Sequence, residues 1–191
     1  MKLLKSIIKP FLSKNSQWKL STALEKRIIL AHDIIEQIKT NKFIASKGTY
    51  IKDIKFNEGD YYDTPDNCNL DIKSNFNKVK ECKVCAIGSL FLSTIKYDNK
   101  LKFCDLEYES AQRQSTLDNI FEPEQLYLIE CAFERSNGHS SGTSIFSNKR
   151  YGFLDLEKGQ KAKYKYDDLN QHDKLITIMQ NIIDNNGTFV V

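Results

Sequence analysis

The sequence is poor in the residues that break or staple a chain. Only 3 prolines and 8 glycines occur in 191 residues, which leaves little room for long unstructured linkers. Acidic and basic residues nearly cancel at a net charge of +3, so the strongly basic face that marks nucleic-acid binding is missing. No apolar run approaches the ~20 residues of a membrane-spanning helix. Cysteines number five (Cys68, Cys82, Cys85, Cys104 and Cys131), an odd count that does not suit a secreted disulfide framework. Cys85 and Cys131 lie in apolar runs, where a thiol behaves as a small hydrophobe. A reduced, cytoplasmic chain is expected, with no nucleic acid as partner and no stable membrane insertion. The 40% hydrophobic and 28% charged residues that remain are those of an ordinary globular protein, and the length suits one core better than two.

Residues 1–20 read as a basic amphipathic arm. Leu3, Leu4, Ile7, Ile8, Phe11 and Leu12 alternate with Lys2, Lys5, Lys9 and Lys14. Such a pattern can lie on an anionic membrane, but Pro10 breaks a helix there, and Lys5 and Lys9 interrupt any signal-peptide core. The arm is therefore expected to pack on the domain or on another subunit, with Trp18, the only tryptophan, anchoring it.

Three helices are predicted from their punctuation. Thr22 and Glu25 form a capping box, in which the hydroxyl and the carboxylate each satisfy a free backbone N–H. Leu24, Ile28, Ala31, Ile35 and Ile38 follow at helical spacing through Thr40. Pro123 suits the first position of a helix over 123–135, where Glu124 complements the dipole and Leu126, Ile129 and Phe133 line one face, after a helical lead-in at 116–121. The third helix spans 170–185, with Leu175, Ile178, Met179 and Ile182 in phase, Asn186-Gly187 to close it and Phe189 folded back over the last turn. A fourth helix, over 82–96, is apolar almost all round and should be central and buried, with Gly88 and Ser89 allowing another backbone close. Polar stretches at 56–80, 97–115 and 136–163 separate these elements, and residues 50–54 and 151–156 suit short strands. The expected architecture is mainly α (α+β with at most one small hairpin), an irregular helical single domain over residues 21–191 following the 1–20 arm.

Two motifs suggest chemistry. Cys82-Lys83-Val84-Cys85 has the spacing for a shared zinc or a cycling disulfide. Zinc needs two more ligands, and only the isolated Cys68, Cys104 and His139 are on offer. A redox motif wants a strand ahead of it, and residues 75–81 are polar and lysine-rich. Gly138-His139-Ser140-Ser141-Gly142 matches the nucleophile elbow of serine hydrolases, with Asp155 and His172 following in triad order, yet a helix rather than a strand leads into it. The same loop suits an anion better: backbone N–H groups, hydroxyls and flanking charge can cradle a phosphate. The candidate ligand-binding residues are Arg135, His139, Ser140, Ser141, Thr143 and Arg150, with Lys149 beside them. No catalytic set is complete, and no cofactor is implied. His32 reads as a half-buried histidine, Asp105, Glu107 and Glu109 as a solvated face, and the lysines and tyrosines of 158–166 as a surface strand or loop.

Several pieces carry a resemblance: Phe43 and Gly48-Thr49-Tyr50 after the first helix, Cys85-Ala86-Ile87-Gly88-Ser89-Leu90-Phe91-Leu92-Ser93, the 121–133 segment, and Ile178-Met179-Gln180-Asn181-Ile182-Ile183 with Gly187-Thr188-Phe189. From about Ser21 onward the chain resembles a group of uncharacterised bacteriophage and mobile-element proteins. The resemblance implies a setting in which small proteins sequester a host factor or a signalling molecule. A non-enzymatic binding protein is the expectation, taking a host protein or a small phosphorylated ligand and self-associating through the central helix or the arm. The alternatives are a metal-binding protein or metal-dependent enzyme using Cys82 and Cys85, and a serine hydrolase using Ser140.

Overall fold

The computed structural model describes residues 14–48, 50–57, 78–97, 116–134 and 156–191. The arm before Lys14, Cys68 and Cys104, the acidic run at 105–109, all but the last residue of the strand expected at 151–156, and all six candidate ligand residues from Arg135 to Arg150 lie outside them.

The described residues form six longer helices, a helical turn at 116–118 where the lead-in was expected, and a three-stranded sheet, around one apolar core: α1 (Lys14–Leu20), α2 (Ala23–Lys39), β1 (Phe43–Ala45), β2 (Ile51–Phe56), β3 (Val79–Val84), α3 (Ala86–Tyr97), α4 (Pro123–Phe133), α5 (Leu156–Lys165) and α6 (Gln171–Asp184). The fold is mainly α with a small sheet, as the sequence pattern indicates, and none of the described helices is long and apolar enough to cross a membrane.

The capping box opens α2: Thr22 N–H donates to Glu25 Oε2 at 2.7 Å and Glu25 N–H to Thr22 Oγ1 at 3.3 Å. Leu30, Ala31, Ile34, Ile35 and Ile38 then face inward, and α6 lies along α2 with Leu175, Ile178, Met179 and Ile182 buried. Each such side chain contributes roughly 1.5–3 kcal/mol by leaving water. The stripe on α2 begins later than its periodicity suggests. Leu24 is 46% exposed and His32 is also exposed, because the neighbouring elements cover only the face that carries Arg27 and Leu30. Trp18 does anchor α1, stacked on Tyr97 at 5.1 Å between centroids.

The expected helix over 82–96 is a strand and a helix. Residues 79–84 form the central strand of a sheet ordered β1-β3-β2, parallel to β1 (Phe43 opposite Cys82) and antiparallel to β2 (Ile51 opposite Val84). The β2–β3 register shifts between Lys52 and Lys55, where Asp53 takes a positive φ of 51° and pairs with Lys83 at 2.7 Å. The strand ends at Val84, and the Sγ of the next residue, Cys85, accepts the Gly88 N–H at 3.4 Å and so caps α3. Gly88 is irreplaceable on steric grounds: a Cβ there would stand 1.8 Å from the Tyr50 carbonyl oxygen, which also accepts the Cys85 N–H.

α4 starts at Pro123 and buries Leu126, Ile129 and Phe133. The lysine-rich stretch at 158–165 is a helix, not a surface strand or loop. Gly159 lets α5 approach Tyr127 of α4 closely, and Ala162 is fully buried. Asn170 caps α6 by accepting the Asp173 N–H at 3.0 Å, and positive φ values at Asn186 (53°) and Gly187 (89°) close its other end. Phe189 turns back into the core at 2% exposure, held by Gln125, which accepts its N–H at 2.6 Å.

Candidate functional site

The split of the C-x-x-C motif between strand and helix decides its chemistry. Cys82 points into the α2–β1 side, where its Sγ donates to the Lys42 carbonyl at 3.8 Å; Cys85 caps α3. A strand does lead into the motif, contrary to the sequence expectation, yet neither thiol is primed. Burial pushes both up to about 12, so the nucleophilic thiolate is scarce at neutral pH. Among the described residues both are free thiols, and no group of three or more His, Cys, Asp or Glu is placed to hold a metal.

Charged groups instead gather where α4 ends, α6 begins and the chain turns after β1. Residues 46–48 form that turn. It is pinned from both sides: Lys47 N–H donates to Gln171 Oε1 at 3.0 Å and Gly48 N–H to Glu134 Oε2 at 2.8 Å. Gly48 takes a φ of 68°, which favours glycine. Glu130 stands one helical turn before Glu134. Burial, and then the neighbouring Glu134 carboxylate, push Glu130 up to about 8, so it carries a proton at neutral pH. Burial also raises Glu134, against the Gly48 N–H bond that favours its charged form. Both carboxylates act on the Cys85 thiol, which places the α3 cap on the same side of the molecule.

Lys174 completes the cluster. It sits on the buried stripe of α6 with no exposed surface, and its Nζ is 3.6 Å from Asp167 Oδ1. Burial, followed by the charge of the neighbouring Lys47, lowers the Lys174 pKa, while Lys47 in turn favours the charged form of Glu134. Titratable groups shifted by burial and by one another collect at functional sites more often than elsewhere.

A second charged cluster lies between α2 and α3. Asp33 is 3% exposed; Lys96 and Gln37 donate to its Oδ1, while Oδ2 has no hydrogen-bond partner among the described residues. Lys42 is close by, lowered by burial and by Lys96. This cluster ties two helices together within the core.

Sequence reasoning did not single out Lys47, Lys174, Glu130 or Glu134. A signal existed for three of them. Lys174 precedes Leu175 and stands four residues before Ile178, so helical spacing places it on the apolar face. Glu130 and Glu134 likewise follow Ile129 and Phe133. Of the residues expected to bind a ligand, Arg135 is the next residue along the chain from Glu134. Comparison with protein-family models, with curated proteins and with solved structures gives no match.

Proposed function

We propose that this protein captures a ligand without turning it over, as a cytoplasmic binding protein in a phage or mobile-element setting. Its ligand is a small phosphorylated molecule held at the Lys47–Lys174 end of the fold. The observation that carries this reading is the pinned turn. Glu134 and Gln171 fix residues 47 and 48, with Lys47 a charged neighbour of the buried Lys174, at the point where the chain runs on into the Gly/Ser-rich stretch from Arg135 to Arg150. That stretch adds hydroxyls, amides and two arginines in sequence, a composition suited to an anion. The buried thiols weigh against the metal and redox alternatives that Cys82 and Cys85 invite.

A host protein as the captured partner, or a second copy of the chain, is favoured by a different observation. Leu20 and Leu24, each 46% exposed, flank the α1–α2 corner, which follows the lysine-rich residues 1–14 in the sequence.

Native mass spectrometry of the protein, purified from its expression host without added metal or chelator, tests both readings. A small anionic adduct is the expected result for ligand capture, and a metal-free oligomer is the result for self-association. One zinc per chain would overturn the binding reading in favour of the Cys82/Cys85 site.

A further inference from the structure

The helix α1 is attached to the fold differently from α2 and α6. It is 7 residues long, short of the roughly 12–15 at which an isolated helix begins to hold in water, so it is helical because it is docked. Of its described side chains Trp18 alone is buried, while Lys19 and Leu20 are exposed. By contrast α2 and α6 each bury a whole apolar stripe. Trp18 stacks on Tyr97, the last residue of α3, with 5.1 Å between centroids and 18° between ring planes, and Lys26 Nζ lies over the indole at 5.1 Å. Next to this stack, Lys96 Nζ lies 5.8 Å from the Tyr97 ring centroid and donates to Asp33 Oδ1, while Asp33 Oδ2 has no hydrogen-bond partner among the described residues.

The named hydrogen bonds at the joint between α1 and α2 each stay on their own side of it. Ser21 N–H donates to the Trp18 carbonyl at 3.2 Å and Ser21 Oγ to the Gln17 carbonyl at 2.7 Å, so both travel with α1. Thr22 and Glu25 close the capping box on the α2 side, which keeps that helix capped whether or not α1 is docked.

We propose that α1 is a strap that swings away about Ser21–Thr22 as one unit, leaving the rest of the fold intact, and uncovers the Tyr97 ring beside the Lys96–Asp33 pair. Local opening draws on segments with few buried apolar side chains, and among its described residues α1 has one. The open form presents an aromatic face and an ammonium with a buried carboxylate behind them, so docked α1 is an intramolecular cover for that surface. The strap is independent of the ligand-capture reading, because it involves neither Lys47 nor Lys174.

Trp18 is the only tryptophan of the chain, so tryptophan fluorescence reports on α1. The test is a urea titration of the full chain read in parallel by the Trp18 emission wavelength, by acrylamide quenching of Trp18, and by far-UV circular dichroism, which follows the other helices. The expected result is a red shift and stronger quenching at urea concentrations where the dichroism is still native. Coincident transitions, the mark of all-or-none unfolding, overturn the proposal. Tyr97→Leu gives a second reading without denaturant: Trp18 emission shifts to the red while the dichroism stays near that of the wild type. A Tyr97→Leu protein whose Trp18 is as shielded as in the wild type overturns the stack as the strap's fastening. If that variant does not fold, the wild-type titration alone decides.

Discussion

Arg27 and Lys174 are both buried cations, on two helices that pack against each other, and they are treated in opposite ways. Every arm of Arg27 is answered: Nε donates to the Ile120 carbonyl at 2.5 Å, one terminal nitrogen to the Gly187 carbonyl at 3.3 Å, and the other to Glu122 at 2.5 Å. Its guanidinium also lies over the Phe121 ring, 5.1 Å from the centroid. One side chain thereby fastens α2 to the turn before α4 and to the end of α6. Lys174 has an acid at 3.6 Å and a second lysine, Lys47, as a charged neighbour. A fold that satisfies one buried charge so fully and another so poorly is using the first as a rivet. On the proposed capture reading, the second is kept for a partner from outside.

The largest effect that would sharpen this contrast is expected from Arg27→Met. Two buried carbonyls and a carboxylate lose their donor, so unfolding in urea should show a loss of about 3 kcal/mol. A loss well under 1 kcal/mol would mean that the rivet is ornamental.

The two ends should also respond to pH with opposite sign. Glu130 is raised from 4.5 to about 8, so the folded state holds its proton more tightly than the unfolded state does. Its contribution is fully present below about pH 4.5 and is lost as pH climbs through 8. Glu122 is held below its ordinary value by Arg27, so its smaller contribution is present above about pH 4.5 and is lost in acid. Stability measured from pH 5 to 9 should fall, and Glu130→Gln should flatten that slope. An unchanged slope in the variant would place the titration elsewhere.

A smaller effect provides a benchmark away from both ends. Thr22→Ala removes the capping box of α2 and should cost about 1 kcal/mol at either pH. A larger loss would show that α2 depends on its first turn more than on its packing.

Local signals in the sequence were read correctly wherever the structure is local. Thr22 with Glu25, Pro123 at the head of α4, and the positive-φ pair Asn186-Gly187 each act through neighbours within a few residues. The misreadings concern distant partners. Val79 to Val84 became a strand because it pairs with Phe43–Ala45 and Ile51–Phe56, and the apolar run after it drew the predicted helix four residues too far back. The lysine-rich 158–165 stretch became a helix because Gly159 and Ala162 pack against α4, a surface that its own polarity does not announce. The candidate site was least legible for the same reason. Lys47, Glu134, Gln171 and Lys174 come from three separated segments, and only folding places them together.

The central claim is that Lys174 is kept for binding rather than for stability, and one pair of readings on Lys174→Met tests it: the urea midpoint without phosphate, and the rise of that midpoint when phosphate is added. The account predicts stability within about 1 kcal/mol of the wild type, since replacing a poorly paired buried charge by an apolar chain is often neutral or better, and loss of the phosphate-dependent rise. A variant that unfolds as readily as Arg27→Met, yet still responds to phosphate as the wild type does, would contradict it.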